Sequence, residues 1–374
     1  MVSVSSERLQ SLAGLRFVAA CLVFVVHLQI SPMLASVGFM AVSFFFVLSG
    51  FVMMWSMTAE GAEYDVRSFL RRRFWKIFPN YFAAWVLVLA ILLLVPISAV
   101  PGVLPAGPPA VGPALANLLT LHSWVPFADY MHSVNPVSWS ISSEAFFYLL
   151  FPVLAPVVLR LRARYLVSMM VVAVVVAWIV PLLSLAISPS IETGNGPVPS
   201  LVQYWFSYYL PLSRLPEFII GMVLARLVRN GFKPRVGVVF PAALAFLSLV
   251  VSSVFLPLSF VFVAATLVPI VLVVIGAVSM DVRNVRSVWS SKPMVFLGNI
   301  SYAFYLVHYP IFMLFDHFAG EGMSEGVGLI VKAAILAVLC IFFAWLLFVA
   351  VERPLMRRFG SKRKVADSST PVTT

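Results

Sequence analysis

The stretch YLVSMMVVAVVVAWIVPLLSLAI, residues 165–187, contains 23 residues and no charged side chain. An α-helix of about 20 apolar residues is long enough to cross the hydrocarbon core of a bilayer. The whole chain of 374 residues has this character: 62% are hydrophobic and 10% are charged, and the mean hydropathy is +1.03. Because water cannot cover so much apolar surface, a soluble enzyme, a disordered chain and a nucleic-acid-binding protein are all disfavoured. The sequence predicts an all-α polytopic membrane protein.

Nine further apolar stretches bring the predicted number of transmembrane helices to ten. The ten spans cover residues 13–31, 38–57, 77–97, 138–159, 165–187, 204–228, 236–255, 259–280, 294–315 and 327–351. Proline and glycine mark a long outer loop at 99–137, within which residues 114–122 are predicted to form a short surface or re-entrant helix. We expect a membrane domain over 1–352 and a basic cytoplasmic tail over 353–374, with a disordered end from 365 onwards.

Basic residues determine the predicted orientation. Apart from Arg214 and Lys332, the basic residues fall before or near the start of the first span, or in or beside every second loop after it: Arg8, Arg16, Arg67, Arg71, Arg72, Arg73, Lys76, Arg160, Arg162, Arg164, Arg226, Arg229, Lys233, Arg235, Arg283, Arg286, Lys292 and the run from Arg353 to Lys364. The alternate loops carry acidic residues and no Lys or Arg. Cytoplasmic loops are enriched in Lys and Arg and face anionic lipid, so both termini are predicted to be cytoplasmic. The net charge of +11 is thereby explained without a nucleic-acid partner.

Of the ionisable side chains within the predicted spans, seven are candidates for function because such groups are costly inside a bilayer. They are Arg16, His27, Glu144, Arg214, Glu217, His308 and Lys332. The alternative for each is a structural polar residue between helices. Arg214 and Glu217 are three residues apart and could pair with each other. Lys332 lies near a helix end, from which its side chain can reach the interface. Both cysteines, Cys21 and Cys340, lie in apolar runs and indicate no disulfide.

Three of these residues are predicted to meet at one depth in the outer half of the membrane. His27, Glu144 and His308 come from the first, fourth and ninth spans. Imidazole is well suited to take a proton from a hydroxyl group near neutral pH, and a carboxylate can orient it. We therefore interpret His27 as a candidate general base. The structural alternative, a histidine that only bridges helices, leaves the common depth unexplained.

A second set of candidates lies on the cytoplasmic side. Arg16 is near the inner end of the first span, and Arg73 and Lys76 are one helical turn apart at the start of the third. Arg71 and Arg72 are typical of ordinary anchoring at a membrane surface. Arg16, Arg73 and Lys76 instead fit an anion clamp for a phosphorylated donor such as an acyl-coenzyme A.

These residues stand in blocks that resemble acyltransferase family three, the bacterial integral-membrane O-acyltransferases. The blocks are LAGLRFVAACLVFVVH (12–27), SFFFVLSGF (43–51), RRRFWKIFPNY (71–81), WSISSEAFFYLLFP (139–152), RLPEFIIGMVLA (214–225), LGNISYAFYLVHYP (297–310) and VERPLMRRF (351–359). Each block alone is weak, because apolar helices look alike. Seven blocks in family order, covering essentially the whole chain, make the match specific.

The resemblance implies roles for individual residues. The histidine that the family needs for transfer falls on His27, and its paired arginine falls on Arg16. The family's Trp-Ser-x-Ser-x-Glu element covers Trp139, Ser140, Ser142 and Glu144, and a late element covers Ser301, Tyr302 and His308. The chain departs from the family at Lys76, where a second arginine is usual. An ammonium group is a point charge and cannot bind a phosphate with two parallel hydrogen bonds as a guanidinium does. The chain also departs after Glu144, where a second acidic residue is usual.

The resemblance implies a membrane O-acyltransferase of the inner (plasma) membrane. It would move an acetyl or short acyl group from cytoplasmic acyl-CoA to a hydroxyl group of a carbohydrate or glycosylated secondary metabolite. Exopolysaccharide, lipid-linked sugar or an antibiotic is favoured over peptidoglycan, because no extracellular hydrolase-like domain accompanies the spans. No metal and no tightly bound cofactor is expected.

The predicted roles divide the site residues into three groups. His27 and Glu144 are assigned to catalysis, and Arg16, Arg73 and Lys76 to donor binding. The acceptor-side or supporting residues are Ser140, Ser142, Tyr148, Arg214, Glu217, Ser301, Tyr302 and His308. Direct transfer and an acyl-histidine relay are both open. The alternative function is a secondary transporter or exporter of a lipid-linked sugar, although such proteins usually show two related halves. A membrane scaffold without chemistry is a third interpretation.

Overall fold

The computed structural model describes residues 9–30, 32–58, 65–96, 108–193, 196–319, 323 and 325–360. The helices, in chain order, are α1 (Gln10–His27), α2 (Pro32–Met57), α3 (Val66–Leu94), α4 (Val111–Leu118), α5 (Ala128–Met131), α6 (Trp139–Arg160), α7 (Ala163–Ile187), α8 (Leu201–Tyr204), α9 (Leu215–Arg229), α10 (Val239–Phe255), α11 (Leu258–Val261), α12 (Ala264–Val282), α13 (Lys292–Ala319), α14 (Gly326–Leu347) and α15 (Arg353–Leu355). Two short strands, β1 (Ile191–Thr193) and β2 (Gly196–Val198), form an antiparallel hairpin in which Glu192 is opposite Pro197. The chain is nearly all α-helical, as the sequence predicts.

Among the described residues, eight helical stretches are long and apolar enough to cross a membrane. They correspond to the first five and the last three predicted spans, so the chain is a multi-pass membrane protein. The seventh predicted span forms a helix of 17 residues, Val239–Phe255, which is shorter than a typical crossing. The total of ten spans and the cytoplasmic placement of both termini stay predictions.

The sixth predicted span, 204–228, is not one continuous helix. A π-helical turn at Trp205–Tyr209 and a 3-10 turn at Pro211–Arg214 precede α9, which has 15 residues. Pro211 and Pro216 explain the break, because proline lacks the N–H group that a continuing helix needs and clashes with the preceding turn. The break points Arg214 into the protein at the start of α9.

Glycines allow two pairs of helices to touch backbone to backbone. A Cβ atom added at Gly221 of α9 would lie 1.9 Å from the carbonyl oxygen of Val47 on α2, and one added at Gly298 of α13 would lie 1.9 Å from that of Ala13 on α1. Small residues at such crossings are characteristic of membrane helices, whose association depends on close packing. The α1–α13 crossing brings the helices of His27 and His308 together.

The helix α3 is fixed at its start and along its length. Asp65 caps it by accepting hydrogen bonds from the backbone N–H groups of Arg67 and Ser68, at 3.1 and 3.0 Å. The hydrogen bond from the Ser68 side chain, followed by those from the backbone of Ser68 and Arg67, holds the pKa of Asp65 below its usual range. Further along, the Trp75 ring stacks on Phe359 at 4.4 Å, so the segment after α14 packs against α3.

That segment is helical through Gly360, with π-helical turns at Phe348–Glu352 and Met356–Gly360. The predicted basic tail therefore begins as a continuation of α14. The predicted disordered end, 365–374, lies outside the described residues, as do residues 99–107 of the predicted outer loop.

The described part of the outer loop is held by buried polar side chains. Asn117, on the predicted short helix, donates to the Ser133 carbonyl at 2.7 Å and to the Ser138 hydroxyl at 3.0 Å. The Tyr81 hydroxyl donates to the Asn117 side chain at 2.8 Å. His122 lies 3.3 Å from the Ser138 hydroxyl, and burial lowers the pKa of His122 to about 3. These bonds tie the loop to α3 and to the start of α6.

Candidate functional site

A cavity of about 80 Å³ opens among α1, α2, α3, α6 and α13. It brings together eight of the thirteen residues that the sequence singles out. They are Arg16, Arg73, Lys76, Ser140, Glu144, Tyr148, Ser301 and Tyr302. The remaining wall is largely apolar, with side chains such as Phe45, Leu48 and Ile141. The combination of an apolar wall and a few convergent polar groups is typical of a ligand-binding site.

The cationic side of the cavity is built by α1 and α3. Arg73 and Lys76 are one turn apart on α3, and Arg16 faces them from α1. The Arg73 guanidinium lies 5.5 Å from the ring centres of both Phe69 and Tyr148. Aromatic faces attract a guanidinium within this distance. The cluster therefore presents three positive charges to one small, half-buried volume.

Glu144 lies with the cations and not with the imidazoles. Its carboxylate accepts a hydrogen bond from the Tyr148 hydroxyl at 3.2 Å, and it interacts electrostatically with Arg16, Arg73 and Lys76. This position fits a carboxylate that balances charge better than one that orients His27. Depth inferred along a single helix could not distinguish these positions, because it gives no direction around the helix axis.

His27 and His308 form a contact pair, as their predicted depth requires. Nε2 of His308 lies 3.3 Å from Nδ1 of His27, and the ring centres are 4.9 Å apart. Tyr309 and Phe312 lie edge-on to His27, at 5.4 and 6.5 Å between ring centres. His308 is buried, with 1% of its surface exposed, whereas His27 is half-buried. The pair thus combines a shielded imidazole with an accessible one.

Tyr305 connects the cavity to the histidine pair, and sequence reasoning missed it. Tyr305 lines the cavity wall, and its hydroxyl accepts a hydrogen bond from the Ser140 hydroxyl at 2.9 Å and donates one to the Val137 carbonyl at 2.8 Å. Its ring centre lies 5.6 Å from that of His308. The signal was present in the sequence, since Tyr305 precedes His308 by three residues and so shares its helix face.

Arg214 and Glu217 form a closed, buried unit outside the cavity lining. Arg214 Nε lies 2.6 Å from the Glu217 carboxylate, and both side chains are fully buried. The same guanidinium donates to the Ser43 hydroxyl at 3.1 Å and to the Tyr208 carbonyl at 3.2 Å. The rings of Phe46, Trp139 and Tyr208 surround it. These contacts fit the structural alternative, in which the pair fastens α9 to α2.

Ser142, Tyr302 and Lys332 each make a polar contact with another part of the chain. Ser142 donates to the Thr120 carbonyl at 2.5 Å and so ties α6 to the outer loop. Tyr302 donates across to the Ile77 carbonyl of α3 at 3.1 Å. Lys332 pairs with Asp316, a partner that the sequence did not indicate.

A second carboxylate, that of Glu352, lies near the cations. Glu352, 8% exposed, accepts a hydrogen bond from the Asn80 side chain at 2.6 Å and interacts electrostatically with Lys76 and Arg16. Glu352 belongs to the VERPLMRRF block (351–359), but the sequence alone did not indicate a functional role for it. Within the described ranges, no group of three His, Cys, Asp or Glu side chains is arranged to hold a metal ion.

Comparison with known proteins gives one family and two relatives. A family described as "Acyltransferase domain" matches residues 9–349. The chain is 34% identical to "Acyltransferase MdmB" of Streptomyces mycarofaciens, over 98% of this chain and 96% of that protein. It is 26% identical to "Putative peptidoglycan O-acetyltransferase YrhL" of Bacillus subtilis (strain 168), over 81% of this chain and about half (48%) of that protein. No solved structure matches.

Proposed function

Because the chain belongs to the acyltransferase family that its residues 9–349 match, and is therefore a membrane acyltransferase, we propose that it performs O-acyl transfer from acyl-CoA. The donor would be cytoplasmic and would carry an acetyl or other short acyl group. The acceptor would be a hydroxyl group of a carbohydrate or glycosylated secondary metabolite, such as an exopolysaccharide, a lipid-linked sugar or an antibiotic. The enzyme would act in the plasma (inner) membrane.

The cavity with its three cations is the observation that carries this proposal. Coenzyme A bears several phosphate groups, which Arg and Lys bind through charge-assisted hydrogen bonds. Arg16, Arg73 and Lys76 converge on one volume, and none of them forms an ion pair with a described carboxylate. A site that keeps cations available in a largely apolar protein supports an anionic ligand. Binding the phosphates there would direct the thioester towards Tyr305 and the histidine pair.

The chemistry requires one base and one leaving group. A ring nitrogen of His27 would take the proton from the acceptor hydroxyl as its oxygen attacks the thioester carbonyl carbon. A new C–O bond forms and the C–S bond breaks, so coenzyme A leaves as a thiolate that recovers the proton from His27. In the relay alternative, a ring nitrogen of His27 attacks the thioester carbonyl carbon, the C–S bond breaks and coenzyme A leaves as the thiol with the proton of the imidazole. The acceptor oxygen then attacks the acyl-histidine, the C–N bond breaks and the hydroxyl proton returns to His27. Glu144 would balance the charge of the cations while the donor enters and leaves.

The proposal is tested with membranes that contain the wild type, His27→Ala or His317→Ala. His317 is an exposed histidine on the same helix as His308, and its variant is the matched control. Each preparation receives radiolabelled acetyl-CoA and a mixture of candidate sugars. We expect label in an acceptor with the wild type and His317→Ala, and none with a folded His27→Ala protein.

The other outcomes separate the alternatives. Equal labelling by the wild type and His27→Ala would remove His27 from the mechanism. Intact thioester together with sugar flux across vesicles would contradict acyl transfer from acyl-CoA and favour the transporter.

A further inference from the structure

The hydrogen bond of His308 to its own helix fixes the position of its proton. Nδ1 of His308 lies 2.6 Å from the Tyr305 carbonyl oxygen. A carbonyl oxygen only accepts hydrogen bonds, so Nδ1 must carry the hydrogen. In the neutral ring the other nitrogen, Nε2, then holds a lone pair. That lone pair points at His27, because Nε2 is the atom 3.3 Å from Nδ1 of His27.

The same reasoning fixes the proton of His27. Nδ1 of His27 lies 2.8 Å from the Val23 carbonyl oxygen, so this nitrogen also carries the hydrogen. It can then only donate to Nε2 of His308, and it shares its hydrogen between the two acceptors. His308 cannot be the donor, since Nδ1 of His27 has no lone pair left to receive a hydrogen. The pair is therefore a directed chain from His27 to His308 to Tyr305.

We propose that His308 is a positioning residue: as the second acceptor of the Nδ1 hydrogen, beside the Val23 carbonyl, it helps to hold His27 in the tautomer and orientation that leave Nε2 unprotonated. This inference rests on the proposed function, in which a ring nitrogen of His27 takes the proton of the acceptor hydroxyl; with Nδ1 protonated, that nitrogen is Nε2. When Nε2 takes that proton, the ring becomes positively charged and its Nδ1–H bond to His308 strengthens, as hydrogen bonds from charged donors do. His308 thereby does with a neutral ring what a carboxylate does for histidine in hydrolase triads.

The surroundings of the pair support this assignment. Phe24 packs edge-on against Phe312 at 5.0 Å between ring centres, and Phe304 stacks on His308 at 6.4 Å. Apolar rings exclude water that would compete for the shared hydrogen. Ser140 and Val137 hold the Tyr305 hydroxyl, which fixes the turn of α13 whose carbonyl sets the His308 tautomer.

The test uses nitrogen-15 magnetic resonance of the full-length protein with labelled histidine. The chain has five histidines, and difference spectra with His27→Ala and His308→Phe assign the two signals. We expect protonated Nδ1 and unprotonated Nε2 for both residues of the wild type at neutral pH. His308→Phe keeps a ring of similar size without the acceptor, and should shift the His27 Nδ1 signal.

Kinetics complete the test. His308→Phe should lower kcat by about 10- to 100-fold, less than the loss of a general base itself, with an unchanged KM for acyl-CoA. His308→Gln, whose Oε1 can accept in place of Nε2, should recover most of the rate. It also covers the case in which His308→Phe does not fold.

Two results would overturn the assignment: a His27 protonated on Nε2 in the wild type, or a folded His308→Phe enzyme whose kcat stays within twofold of wild type. If the wild type transferred no acyl group from any acyl-CoA, the proposed function would fail. The resonance spectra would still decide the tautomer by themselves.

Discussion

Two sets of charged side chains in this protein differ in whether they already have ion-pair partners. The satisfied set, Arg214 and Glu217, forms a buried pair, whereas the available set, Arg73 and Lys76, faces a cavity. Arg214 is fully buried, with a carboxylate, a hydroxyl, a carbonyl and three aromatic rings around it. Arg73 and Lys76 are half-buried and face a cavity, and no described carboxylate forms an ion pair with either. A satisfied charge holds helices together, whereas an available charge can bind a ligand. The sequence indicates a possible Arg214–Glu217 pair and a possible anion clamp at Arg73 and Lys76, but it does not show which charges already have partners.

Breaking the satisfied set should produce the largest effect. Arg214→Met leaves Glu217 buried without its partner, which costs about 3–5 kcal/mol in the free energy of unfolding. We expect a large fall in thermal stability in detergent, or loss of folded protein from membranes. The double variant Arg214→Met/Glu217→Met should recover most of the loss, since a hydrophobic pair often replaces an ion pair well. Wild-type stability of the single variant would show that Arg214 is not structural.

Breaking the available set should change binding and leave stability almost unaltered. Arg73→Met should raise KM for acyl-CoA by about 10- to 100-fold, because hydrogen bonds to charged groups contribute about 1.5–3 kcal/mol. Arg72→Met removes the same charge from the adjacent position, which does not line the cavity, and is the matched control. Steady-state kinetics and thermal melts distinguish the two variants. An equal effect of both would attribute the cations to surface anchoring.

His122, a buried side chain outside the spans, differs from both sets because the folded protein holds it in its neutral form. Its pKa of about 3 in the folded protein is below the ordinary value of about 6.5. Between these values the unfolded chain binds a proton that the folded one does not, so stability is fully present above pH 6.5 and falls as the pH decreases. The loss from this group should reach about 2 kcal/mol at pH 5.

His122→Gln tests this dependence, because it removes the titrating group and keeps a polar side chain. Its thermal stability should fall less between pH 7 and pH 5 than that of the wild type. Identical pH profiles would assign the acid sensitivity to other groups.

The smallest effect is expected from strengthening the available set as an anion-binding site. Lys76→Arg restores the arginine that is usual in the family, and a planar guanidinium can hold a phosphate with two hydrogen bonds. We expect KM for acyl-CoA to fall by less than about tenfold with kcat unchanged. A rise in KM would mean that the cavity is fitted to the shorter, more compact ammonium group.

The sequence predicted the helical class well, because an apolar run of about 20 residues has one stable form in a bilayer. It failed to predict the break before α9, where Pro211 and Pro216 interrupt the helix although the stretch 204–228 is apolar enough to be a single span. Hydropathy averages over a window and does not register a backbone interruption.

The sequence predicted most of the residues of the candidate site, but it predicted less well which of them contact each other. The common depth of His27 and His308 anticipated their contact, but Glu144 faces the cations instead. Depth follows from position along a helix, whereas the partner depends on rotation about its axis and on helix crossings such as the one at Gly298. Tyr305 and Glu352 were missed because their roles come from tertiary contacts with Ser140 and Asn80, which are distant in sequence.

A structure of the full-length His27→Ala protein with acetyl-CoA would show where the donor binds, since this variant should bind the donor without turning it over. We expect phosphate groups within hydrogen-bond distance of Arg73 and Lys76, with the thioester directed towards Tyr305 and His308. Acetyl-CoA bound at another surface, with the cavity among α1, α3 and α6 unfilled, would contradict this expectation.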